Sequence, residues 1–205
     1  MMTTPLIEKV RAYASNILQN ELKESLKYHN YDHTVWVVEA TWEIAKHLQL
    51  STDEIELLLV AAWFHDTGHR LQALNHEDES QVIAQNFLEK IALDPHKIHL
   101  INGCIRATKM PQNPQNLYEQ IICDADLSHL GRADFAEKSE LLRQEWQVQF
   151  QKEIPQLDFC FQNIQFLKNH TFFTEYGKNV FGKVEQENIL KEQKTYELLR
   201  KINAT

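Results

Sequence analysis

Apolar residues recur along this chain at helical spacing almost from end to end. No segment of useful length alternates apolar and polar residues as a half-exposed strand would, and only five glycines and five prolines punctuate the 205 residues. The pattern predicts an all-α fold. A first helix is expected from about Pro5 to Leu26, with Pro5 suited to its first turn and Leu6, Val10, Tyr13, Ile17 and Leu22 near one face. A second starts near Tyr31-Asp32-His33-Thr34, with Asp32 as the expected cap and Val35, Val38, Trp42, Ala45 and Leu48 turned inward. The third opens on the capping-box pair Ser51 and Glu54 and then runs apolar on every side from Ile55 to Phe64. A helix with no polar face belongs at the centre of a domain. It delivers His65 and Asp66 at its end, where Gly68 is expected to stop it.

Further helices are predicted over about Glu77 to Ile91, Pro95 to Lys109 and Leu117 to Leu130, with Pro111 to Pro114 as a loop. The remainder reads as two or three helices broken near Pro155 and Gly177. There is no repeat, low-complexity tract or linker, so one domain over residues 1–205 is expected, with about 136–205 as a C-terminal helical extension.

Composition narrows the partners. With 21 basic and 29 acidic residues the net charge is −8, which argues against duplex nucleic acid, whose phosphates need a basic footprint. Cys104, Cys123 and Cys160 lack zinc-type spacing and the N-terminus lacks an apolar signal segment, so reduced, buried thiols in a cytoplasmic protein are expected. The longest apolar run, Leu57 to Phe64, is too short to span a membrane. Trp36, Trp42, Trp63 and Phe64 lie on apolar helices and read as core.

The candidate chemistry lies in three segments. "YHNYDHT" carries His29 and His33, "FHDTGH" carries His65, Asp66 and His69, and "CDADLSHLG" carries Asp124 and Asp126. Two imidazoles and two carboxylates make a mixed N/O ligand set suited to a divalent ion, with coordination positions left for water and substrate. Adjacent helix residues point about 100° apart, so His65 and Asp66 can straddle one ion, whereas Asp124 and Asp126 diverge by about 200°. Only one of those two faces the ion.

His33, then His65-Asp66, then a distal Asp in "DADL" resembles the H…HD…D signature of HD-domain metal-dependent phosphohydrolases, over about residues 28–131. The resemblance implies an HD-type helical bundle, metal-activated water and the ligands His33, His65, Asp66 and Asp126. The distal ligand of that family usually follows an alanine, which selects Asp126 over Asp124 and leaves Asp124 behind the ligands. "YHN" three residues before a metal histidine is also similar to cyclic-nucleotide phosphodiesterases, which implies that His29 protonates the departing oxygen. "HDTGH" is similar to their HD-x-x-H, which places His69 near the attacking water. Two-metal HD proteins resemble this chain in a histidine shortly after the HD pair, matched by His76, but Thr108 stands where their next one falls. One tight ion is therefore expected, drawn from Mn, Fe, Zn, Mg, Co or Ni, with at most a weak second.

The function expected is hydrolysis of a phosphoester in a small phosphorylated molecule, nucleotides included. Arg70, and Arg106 with Lys109 at i, i+3, are candidate phosphate clamps. The alternatives are an HD-fold diiron oxygenase and a non-catalytic HD module that binds a nucleotide or a protein. The chain is compatible with a homodimer.

Overall fold

In the computed structural model, which describes residues 2–71 and 74–204, Thr4 opens the first helix by accepting from the Ile7 amide at 3.2 Å, and Pro5 takes the first turn. This helix, α1 (Pro5–Asn20), buries Ile7, Val10, Ala14, Ile17 and Leu18. It ends before the expected Leu26, because Glu21, Lys23 and Glu24 leave no apolar stripe to extend.

The cap of α2 (Tyr31–His47) is Asn30, not Asp32. The Asn30 Oδ1 accepts from the amides of Asp32 (2.9 Å) and His33 (3.1 Å), the second and third donors of the helix, so Asp32 is a first-turn acid. The buried stripe is Thr34, Val37, Val38, Thr41, Ile44 and Ala45, joined by His33. Of the residues expected inward, Val38 and Ala45 are buried, while Val35, Trp42 and Leu48 lie at the stripe's edge and are half-buried.

The capping box of α3 (Thr52–Phe64) forms in both directions, Glu54 N to Ser51 Oγ at 3.4 Å and Ser51 N to Glu54 Oε2 at 2.8 Å. Every residue from Leu58 to Phe64 is buried, as a helix without a polar face requires. A 3₁₀ turn, Thr67–Arg70, follows. Gly68 does not end α3 by a left-handed conformation, since no described glycine has positive φ. Its role is close approach: a Cβ there would lie 2.0 Å from the His76 carbonyl oxygen, and its amide donates to Ser80 Oγ at 2.9 Å. The turn is thereby held against the start of α4 (His76–Lys90), which Asn75 enters at φ 57°.

Asp94 caps α5 (Pro95–Ala107) by accepting from His96 N (2.9 Å) and Lys97 N (3.2 Å). The helix expected over Leu117 to Leu130 breaks at Asp126: α6 is Leu117–Asp126, followed by a 3₁₀ turn at Leu127–Gly131. α2 packs against both α3 and α6, and α3 against α5.

The chain divides into two compact units, Met1–Asp126 with α1 to α6 and Leu127–Thr205 with α7 (Phe135–Gln149), α8 (Gln156–Asn169) and α9 (Gly182–Asn203). In the second unit Asn188 on α9 donates to the carbonyls of Leu130 and Arg132, both at 2.8 Å. The breaks near Pro155 and Gly177 fall as expected, the latter as a π-helical turn at Gly177–Phe181. No strand occurs among the described residues, and the all-α expectation holds. The three cysteines are free and buried, and no described helix is long and apolar enough to cross a membrane.

Candidate metal centre

Three helices of the first unit bring the candidate ligands together. The Asn30 cap starts α2 so that His33 occupies its buried first turn, His65 and Asp66 follow directly on the end of α3, and Asp126 closes α6. His33 Nε2 lies 3.3 Å from Asp66 Oδ2 and 3.3 Å from Asp126 Oδ1, while His65 Nε2 lies 3.2 and 3.6 Å from the same two oxygens. The two Nε2 atoms are 3.4 Å apart. Ligand atoms bound about 2.1 Å from one ion stand roughly 3.0–3.4 Å from one another, so these spacings fit a single coordination shell.

The protonation pattern points the same way. His65 Nδ1 lies 2.8 Å from the Ala62 carbonyl, which only accepts, so Nδ1 carries a proton and Nε2 is the nitrogen that faces the carboxylates and ligates once its own proton is released. Burial disfavours every charge here, yet pairing prevails. The carboxylates of Asp66 and Asp126 hold His65 well above the ordinary imidazole range and raise His33, while the imidazoles hold Asp66 and Asp126 below the usual carboxylate range. Asp66 Oδ2 is buried and accepts no hydrogen bond. Two carboxylates against two imidazoles call for positive charge: protons on the imidazoles supply it in the metal-free chain, and a divalent ion with neutral imidazoles would balance it equally.

The other oxygen of Asp66 faces a second imidazole group. His76 Nε2 stands 3.1 Å from Asp66 Oδ1. The rings of His69 and His76 stack at 3.7 Å between centroids and those of His29 and His69 at 4.6 Å. Ligand atoms of His29, Asp66 and His69 lie within 4.8 Å of one another. Both ring nitrogens of His69 are buried without a hydrogen-bond partner. Burial, reinforced by the neighbouring His29, pushes His69 well below the ordinary imidazole range, so it is neutral at neutral pH.

The remaining candidates lie elsewhere. Asp124 is buried two residues before Asp126, on the side of α6 that the helical angle turns away. Arg70 is engaged by Glu21 at 2.9 Å and Lys109 by Asp78 at 3.0 Å, while Arg106 is exposed. One residue was missed by sequence reasoning: Glu77 is buried, with Oε1 3.6 Å from His76 Nε2 and Oε2 without a hydrogen-bond partner. It stands in a run of acids at a helix start, where acids are expected for the dipole alone. The buried stripe of α4, Leu88, Ala84 and Ser80, extrapolates back to Glu77 and was the signal available.

Residues 30–131 match the HD domain family. A crystal structure of a predicted HD superfamily hydrolase from an uncultured Thermotogales bacterium is similar with a TM-score of 0.64 and 17% identity, over 95% of this chain and 94% of that one. A Lactobacillus plantarum protein is similar with a TM-score of 0.66 and 16% identity, over 97% of this chain and 100% of that one. None of the curated proteins matches the sequence. At these identities the two structures establish a shared fold. The family match encloses His33, His65, Asp66 and Asp126, the four residues whose side chains converge. The chain therefore belongs to the HD-domain family, with residues 30–131 as its HD domain.

Proposed function

We propose that the protein is a metal-dependent phosphohydrolase that cleaves a phosphoester of a small phosphorylated molecule. The observation that carries this reading is the convergence of His33, His65, Asp66 and Asp126 at 3.2–3.6 Å with His65 Nε2 turned inward. A divalent ion held there supplies Lewis acidity, lowering the pKa of water and offsetting charge on a phosphoryl group. The chain's own residues do the rest. His69, neutral and buried, offers a lone pair that orients the attacking water. His29, beside His69 and half-buried, gives a proton to the departing alkoxide. Asp66 connects the two groups, one oxygen toward each.

Purified protein, stripped and reloaded with Mn, Fe, Zn, Mg, Co or Ni singly, is to be screened on phosphomonoesters, cyclic nucleotides and nucleoside polyphosphates. Hydrolysis that needs the ion and disappears in Asp66→Ala supports the proposal. Absence of hydrolysis across ions and substrates contradicts it.

One observation favours a second reading, an HD-fold diiron oxygenase: His76 stands 3.1 Å from Asp66 Oδ1, with the His69 ring stacked on it and Glu77 Oε1 3.6 Å from its Nε2, and the three offer ligands for another ion. Thr108, buried with its hydroxyl donating to Ile105 O at 2.8 Å, is a poor ligand and weighs against it. Two stoichiometric irons per chain with substrate-dependent O₂ consumption would reverse the ranking.

A further inference from the structure

The three cations read as phosphate clamps have different fates in the structure. Glu21 holds Arg70 and Asp78 holds Lys109, whereas the guanidinium of Arg106 has neither an ion pair nor a hydrogen bond among the described residues. Arg106 and Lys109 line a groove of about 360 Å³ at the end of α5. Met110 and Pro111 form its apolar wall, and Asn113 and Gln115 bring amides to it. Met110 is 53% exposed, an apolar surface with little to cover it.

The one carboxylate in the groove is turned inward. Glu119 Oε2 accepts from the Gln115 amide at 2.6 Å and Oε1 accepts from Asn116 Nδ2 at 2.9 Å, so both oxygens are held by neutral donors of the neighbouring loop and neither pairs with Arg106. Gln112 Nε2 donates to the Cys123 carbonyl at 3.4 Å, which fastens the loop between α5 and α6 to the latter helix. Arg106 is the one cation lining the groove that no carboxylate pairs among the described residues, and it stands on a concave, half-apolar surface.

We infer that this groove binds the phosphate of a small phosphorylated ligand, with the apolar body of the ligand laid against Met110 and Pro111. Arg106 presents its planar fork to two phosphate oxygens, and Lys109 exchanges Asp78 for a third. The exchange costs little, because an exposed Lys–Asp pair is weakly held. At about 360 Å³ the groove is near the lower end of ligand pockets, roughly 300–1,000 Å³, room for a ligand of about mononucleotide size. None of the converging metal-site side chains lines the groove, so the inference stands whether or not the protein hydrolyses phosphoesters.

The test uses the full-length Asp66→Ala chain stripped of metal, so that the ligand cluster cannot hold the anion. Adenosine monophosphate is titrated at low salt by calorimetry, with adenosine as the uncharged control. Saturable binding is expected for the phosphate form, weakened about tenfold or more by Arg106→Gln and lost in Arg106→Glu with Lys109→Glu, at unchanged circular dichroism. Both side chains border solvent, so a folded variant is expected; Arg106→Gln alone decides if the double variant fails to fold. Equal binding by parent and Arg106→Gln, equal binding of adenosine and its monophosphate, or no binding at all overturns the inference.

Discussion

His29 and His33 are four residues apart, with ring centroids 5.7 Å from each other, yet they face different partners. His33 Nε2 turns to two carboxylates, while His29 stacks on His69. The proposed mechanism separates them by consequence. His33→Ala is expected to lose the ion, and His29→Ala to retain it and lose about 10²–10⁴-fold in rate on an alkyl phosphoester. The His29 loss should shrink on a p-nitrophenyl ester, whose leaving group departs without a proton. Metal content and the two rate ratios check this; an equal loss on both esters, or loss of the ion, removes His29 from the acid role. Protons should compete with the ion for the same nitrogens. In the metal-free chain Asp66 and Asp126 raise the pKa of His33 and His65, so each holds its proton above the ordinary imidazole range and must release it to bind metal. Apparent affinity is therefore expected to rise from pH 6 to pH 8, by about tenfold or more, in calorimetric titrations of chelated protein. An affinity independent of pH would speak against imidazole ligation. The convergence of His33, His65, Asp66 and Asp126 was legible in the sequence, through residue type and helical phase for the first three and, for Asp126 over Asp124, through the family resemblance. Glu77 was not, because an acid in a helix's first turn has an ordinary electrostatic reason to be there.

At the scale of elements, the site depends on how α2 begins and how closely α4 approaches the turn after α3. The capping box of α3 and the burial of that helix all round could be read directly, since both are local patterns. Asn30 as the cap of α2 could not, because Asp32 is an equally good capping residue two positions later and only the path of the preceding chain decides between them. Asn30→Ala is expected to cost about 0.5–2 kcal/mol, the usual range for a lost cap, and to loosen the turn that positions His33. The function of Gly68 was also hidden, since a glycine after a helix reads as a stop signal whether it supplies a left-handed turn or a close contact. A Cβ at Gly68 meets backbone, 2.0 Å from His76 O and 2.8 Å from Ser80 N, and backbone has no rotamer to yield. Gly68→Ala is thus expected to cost about 1–3 kcal/mol or more in urea denaturation and to displace His76 from Asp66. A variant as stable as the parent would contradict the close-contact role.

At the scale of the molecule, helical periodicity with few glycines and prolines sufficed for the fold class, and the match over residues 30–131 agrees with the signature carried by His33, His65-Asp66 and Asp126. The end of α6 at Asp126 was not visible, because the apolar spacing continues through Leu127 and Leu130 while the backbone changes to a 3₁₀ turn. Among the described residues the second unit gathers no cluster of metal ligands, and its buried polar residues pair with backbone or with one another, as Asn188 does with the carbonyls of Leu130 and Arg132 and Glu185 with His170 at 2.6 Å. What the whole molecule does therefore turns on the cluster in the first unit. The most direct test is elemental analysis of protein purified without chelator, for wild type and Asp66→Ala side by side. About one tightly held divalent ion per wild-type chain, absent from an Asp66→Ala chain of unchanged helical circular dichroism, is the result expected. A wild-type chain that is fully folded and hydrolyses phosphoesters without any metal would contradict the account.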